Sequence, residues 1–107
     1  MFSYLQRREK QLDDQKQIDD KLKDVCRTCP AQLSQYLLYE REVNRQQMGR
    51  LKSCSYWNYF DVVSQNMDEV DAIHSSLKSV LSQSDPSKVC SQLSQLTSTK
   101  ATNQNQN

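Results

Sequence analysis

One glycine and two prolines in 107 residues leave this chain with almost no means of turning sharply. A multi-stranded sandwich needs a turn signal roughly every 8–12 residues. A nucleotide-cradling loop or a dinucleotide fold needs glycines at fixed places beside a phosphate. Neither is open to this chain. What remains is an all-α architecture of long helices. We expect a long N-terminal helix, an antiparallel helical hairpin, a short C-terminal helix and a disordered polar tail. The apolar share is only 36%, well under the roughly 45–50% of an ordinary globular domain.

Residues 1–28 read as the N-terminal helix, with Ile18, Leu22, Val25 and Cys29 spaced 4-3-4 on one face. That stripe is narrow, closer to a coiled-coil seam than to a globular core face. Pro30 suits the first turn of a new helix. Residues 29–82 are assigned to the hairpin. Its first helix covers 30–48, and Met48-Gly49-Arg50 is the turn candidate. Its second helix covers 55–82, with Ser53 or Ser55 as cap. Trp57, Phe60, Val63, Met67, Val70, His74, Leu77 and Leu81 run 3-3-4-3-4-3-4 along that helix, an apolar seam of almost four heptads. A short helix is expected over 83–96, with Asp85 as N-cap and Val89, Cys90, Leu93 and Leu96 turned inward. Residues 97–107 form the polar tail.

The charges nearly balance, 14 Lys+Arg against 13 Asp+Glu. Nucleic-acid binders concentrate a basic surplus on one face, so no nucleic-acid partner is expected. The segment 40–52 is mainly basic and 61–85 mainly acidic, so the two signs can meet across a helix pair. No run approaches the roughly 20 apolar residues of a membrane span. Residues 1–28 lack the apolar stretch of a secretory signal, and their acidic residues do not suit a mitochondrial presequence.

The residues that could carry chemistry are few. Cys26 and Cys29 have the spacing of a redox or zinc pair. Zinc would need two further ligands from Cys54, Cys90 and His74, without the usual second pair. A redox site would need a surrounding βαβ pattern that is absent. The four cysteines are therefore read as small apolar residues or disulfide partners. His74 lies on the apolar side of its helix and reads as a packed residue. Adjacent carboxylates such as Asp13-Asp14 point about 100° apart on a helix and do not converge. We expect no enzyme, no cofactor and no metal. Tyr36, Tyr39, Tyr56, Trp57, Tyr59 and Phe60 cluster around the hairpin turn. They read first as core, with a partner hot spot as the competing reading.

Cys29 opens an eleven-residue segment closing at Tyr39, and Cys54 opens one of equal length closing at Ser64. Two helices that each open on a cysteine resemble the twin Cys-x9-Cys, or coiled-coil–helix–coiled-coil–helix, family. The resemblance covers about residues 29–64. It implies an antiparallel hairpin in the mitochondrial intermembrane space, often in an accessory subunit or assembly factor of a respiratory complex. Tyr39 and Ser64 replace the second cysteine of each motif, so neither family disulfide can form. Cys26 and Cys90 are the candidates for a replacement bridge.

Long helices with narrow seams and little apolar surface complete their core on another protein. The expected function is a non-catalytic structural or accessory subunit of a larger assembly, most concretely a mitochondrial respiratory-chain or other inner-membrane complex. The alternative is a cytosolic coiled-coil subunit of a tethering, kinetochore or organelle-positioning complex. The seam from Trp57 to Leu81 is the expected partner interface.

Overall fold

A computed structural model describes the backbone of residues 2–106 and the side chains of residues 3–97. Within that span are four α-helices and one 3-10 turn, and no strand: α1 (Phe2–Thr28), α2 (Pro30–Ser53), the turn Tyr56–Asn58, α3 (Tyr59–Leu81) and α4 (Pro86–Gln106). The chain is all-α, as its turn-poor composition requires.

Each helix boundary has a local cause. Cys29 ends one helix and starts the next: its N–H donates to the Val25 carbonyl at 2.8 Å, and its own carbonyl accepts from Leu33 N–H at 3.1 Å. Pro30 then occupies the first helical position, where a missing N–H costs nothing. Asp85 does cap α4, because its Oδ1 accepts the Ser87 N–H at 3.0 Å. Its negative charge also suits the positive end of the helix dipole.

The expected turn at Gly49 is absent. Gly49 lies inside α2, which continues to Ser53. One glycine costs a helix about 1 kcal/mol relative to alanine. Gln46, Gln47, Met48, Arg50, Leu51 and Lys52 around it are good helix formers and outweigh it. The chain turns instead at Cys54 and Ser55, which have extended backbone angles. The second hairpin helix accordingly starts as a 3-10 turn and becomes α-helical at Tyr59. Ser55 precedes that turn without a side-chain capping bond, and Ser53 Oγ donates back to the Gly49 carbonyl at 2.9 Å. The helix expected over 83–96 begins at Pro86, and its helical backbone runs on to Gln106. The side chains of the polar tail from residue 98 lie outside the described residues.

The helices pack with α1 most extensively along α3, and α2 most extensively against α4. All four meet at one end. There Ile18, Leu22, Val25 and Cys29 of α1, Tyr36 of α2, Leu77 and Val80 of α3, and Val89 and Leu93 of α4 form one buried cluster. A disulfide joins Cys29 to Cys90 across it, with the Cα atoms 6.0 Å apart. The chain thus has an apolar core of its own, concentrated at the disulfide end, with Val43 and Met67 buried outside that cluster. The molecule is flattened, 46 × 35 × 16 Å. Its radius of gyration, 15.1 Å, exceeds the about 13 Å of a compact domain this long.

Candidate docking surface

At the other end, polar contacts hold the helices together. Arg7 of α1 reaches Asp71 of α3 at 2.6 Å and also pairs with Asp68. Gln11 Nε2 donates to the Met67 carbonyl at 3.0 Å and to Asp71 Oδ1 at 2.8 Å. Between α2 and α3, Gln47 and Arg50 both donate to Glu69 Oε1, at 2.8 and 3.1 Å. The mainly basic 40–52 segment therefore meets the acidic 61–85 segment through Arg50 and Glu69. Asp68 and Asp71 of that acidic set turn to α1 instead. Hydrogen bonds fix the register of these helices while leaving several of their apolar side chains only partly covered.

Those side chains line an open groove of about 370 Å³ between α1, α2 and α3. Tyr4 lines it from α1, Met48 and Leu51 from α2, and Tyr59, Val63, Met67 and Val70 from α3. No described residue of α4 lines it. Arg8 stands at its edge, bonded to the Gln11 amide oxygen at 2.8 Å and to no carboxylate among the described residues.

The seam expected to face a partner is thus divided. Met67, His74 and Leu77 are buried by the chain's own helices, Leu77 completely. Val63, Val70 and Leu81 are half-buried. Leu81 packs against the core at the disulfide end, whereas Val63 and Val70 border the groove. Trp57 and Phe60 project into solvent. The aromatic cluster divides as well: Tyr36 is core and Tyr39 packs against it, but Tyr56, Trp57 and Phe60 are more than 80% exposed. The core reading of these three is corrected, because the Cys54–Ser55 turn places Tyr56 and Trp57 in the 3-10 turn and Phe60 in the first turn of α3, where their side chains face solvent. Met48 and Leu51 were not singled out as site residues by sequence reasoning. Their i, i+3 spacing is a signal that a turn at Gly49 would have erased.

A strip of buried polar groups separates the two ends. Asp14 accepts from Lys78 at 2.6 Å and from Lys10 at 2.9 Å. The Lys78 hydrogen bond, then that of Lys10, holds its carboxyl below the ordinary range. Burial works against the Asp71 charge, but hydrogen bonds from Gln11 and Arg7 outweigh it and keep that carboxyl low as well. His74 faces Gln15, with 3.0 Å between Nε2 and Oε1. Gln15 Nε2 donates to Asp19, so its oxygen faces the ring and His74 Nε2 must carry the proton. His74 Nδ1 is buried with no hydrogen-bond partner. Burial pushes the imidazole pKa down, against the pull of Asp14 and Asp71. The ring is a neutral wedge between α1 and α3, and its free nitrogen does not reach solvent.

Of the four cysteines, Cys29 and Cys90 are bonded, Cys26 is a free exposed thiol and Cys54 a free half-buried one. Among the described residues, no three His, Cys, Asp or Glu side chains converge as a cation site requires. No described helix is long and apolar enough to cross a membrane.

Comparison with protein-family models, with curated proteins and with solved structures finds no match.

Proposed function

We propose that the protein is a non-catalytic accessory subunit that docks onto a larger assembly through the groove between α1, α2 and α3. The observation that carries this reading is the divided seam. Met67, His74 and Leu77 of α3 are covered from within the chain, while Val63 and Val70 are only half-buried beside half-buried Leu51 and exposed Met48 and Tyr4. An apolar groove fixed at its edges by hydrogen bonds accepts an amphipathic helix from a partner. Arg8, which has no carboxylate of its own, selects an acidic residue on that helix. Apart from Arg8, the charged groups beside the groove, Arg7, Arg50, Asp68, Glu69 and Asp71, are committed to one another, which suits a scaffold better than a reaction site.

The Cys29–Cys90 bridge supports an oxidising compartment, since such bonds are rare where cytosolic reductants act. Together with the cysteine spacing of residues 29–64 it favours the intermembrane-space side of mitochondria, and an inner-membrane complex such as one of the respiratory chain. The cytosolic coiled-coil reading requires four free thiols on alkylation under native conditions. The intermembrane-space reading requires two, Cys26 and Cys54.

Sedimentation of the tagged chain at its native abundance tests the docking. Wild type should travel in a particle several times heavier than its own 12.5 kDa. Met48→Glu with Val63→Asp should release it as a free chain with unchanged helical circular dichroism. If the double variant stays in the heavy particle, or wild type travels alone, the groove is not a docking site.

A further inference from the structure

The groove leaves the aromatic tip unexplained. Tyr56, Trp57 and Phe60 are 86%, 84% and 82% exposed. They stand on a three-residue 3-10 turn and at the start of α3. Tyr56 and Trp57 meet edge to face at 5.5 Å, and Tyr59 and Phe60 at 5.8 Å. The Tyr56 hydroxyl and the Trp57 indole N–H have no hydrogen-bond partner among the described residues.

We propose that this tip is a peripheral membrane anchor, which seats Tyr56, Trp57 and Phe60 at the headgroup level of a bilayer carrying anionic lipid. The exposure of the site favours a bilayer over a protein pocket. An aromatic hot spot for a protein lies inside a ring of close contacts that exclude water. Here the rings and the flanking residues Ser53, Ser55 and Asn58 are all exposed, so the rings project from the surface and line no pocket. An exposed cluster of this kind is best surrounded by a fluid medium.

The chemistry agrees. Trp and Tyr favour the membrane interface, where the ring is apolar and its polar atom stays wet. The last turn of α2 carries Arg50 and Lys52. Arg50 is committed to Glu69, but Lys52 has no carboxylate partner among the described residues and is free to meet a phosphate. Asp61, the acidic residue nearby, lies in the first turn of α3, where the helix dipole partly offsets its charge. No described helix can cross the bilayer, so the tip would lie at its surface. The tip adjoins the groove through Tyr59, which lines the groove and meets Phe60, but Tyr56, Trp57 and Phe60 themselves lie outside its lining.

Trp57 is the only tryptophan and reports directly on its own immersion. The full-length protein is mixed with vesicles of phosphatidylcholine alone, or of phosphatidylcholine with phosphatidylglycerol. On the anionic vesicles Trp57 emission should move to shorter wavelength and be quenched by lipids brominated near the headgroup, and the protein should float with the vesicles. Lys52→Gln should weaken that partition about fivefold, the contribution of one basic residue near an anionic surface. Tyr56→Ser with Phe60→Ser should abolish it while the helical circular dichroism stays unchanged. The proposal is overturned if Trp57 emission is unmoved by either vesicle, or if it shifts only when a purified partner protein is added. Undiminished partition of the double variant overturns it too. Equal partition into both vesicle types contradicts it as well, since Lys52 would then play no part.

Discussion

Two single residues show how local context overrides a first reading. Gly49 sits in a regular helix with no positive φ, and a Cβ added there meets nothing within 4 Å. Gly49→Ala should therefore stabilise the protein by roughly 0.5–1 kcal/mol, by restricting the unfolded chain and favouring the helix. A rise in the urea midpoint at constant slope checks this. His74 gives the opposite lesson. Its place on the apolar seam was legible from the sequence, but its link to Gln15 on α1, 59 residues away, was not. Burial lowers its folded pKa below the ordinary 6.5, so the unfolded chain takes up the proton first. The stabilising contribution is complete above pH 6.5 and is lost as the pH falls toward the folded pKa. Urea midpoints measured from pH 7.5 to pH 5 should fall for wild type, and should be flat over the upper part of that range for His74→Gln. A wild-type midpoint independent of pH across this window would contradict the account. Asp14 adds a second loss in more acid solution, as the pH falls below its ordinary 3.8 through its lowered folded pKa.

At the scale of elements, helix number and most boundaries were legible because they rest on local chemistry: Pro30 at a first turn, Asp85 at a cap, and the 4-3-4 stripe ending at Cys29. The pairing of helices was not legible. Narrow stripes on four helices are compatible with several partners, and only tertiary contacts choose among them. The hairpin sequence suggests α3 against α2, yet α3 lies mainly on α1, because Arg7, Gln11 and Asp14 match Asp68, Asp71 and Lys78 in register. The groove escaped for a related reason: its lining comes from three helices, of which α1 is far from the other two in sequence. The disulfide ties α4 back to the start of α2 across 61 residues. Closing a loop of that length removes about 4 kcal/mol of unfolded-state entropy. Cys90→Ser should lower stability by that order, and adding reductant to wild type should reproduce the loss. Equal urea midpoints for wild type with and without reductant would show that the bridge contributes nothing.

The whole molecule is a flattened slab with an asymmetric design. Its main apolar cluster and its bridge lie at one end. Its open groove and exposed rings lie at the other, where hydrogen bonds and ion pairs set helix register but add little stability in contact with water. The low apolar content therefore appears as a local deficit at the groove end and not as a lack of core throughout. Regions with few buried apolar contacts open at low free energy. Amide hydrogen exchange on the isolated protein and on the assembly proposed above measures this difference directly. The account predicts that residues 18–36 and 77–93 are slow in both states. Residues 44–70 should exchange quickly in the isolated chain and become protected in the assembly. Uniform slow exchange along all four helices of the isolated chain, unchanged on assembly, would contradict it.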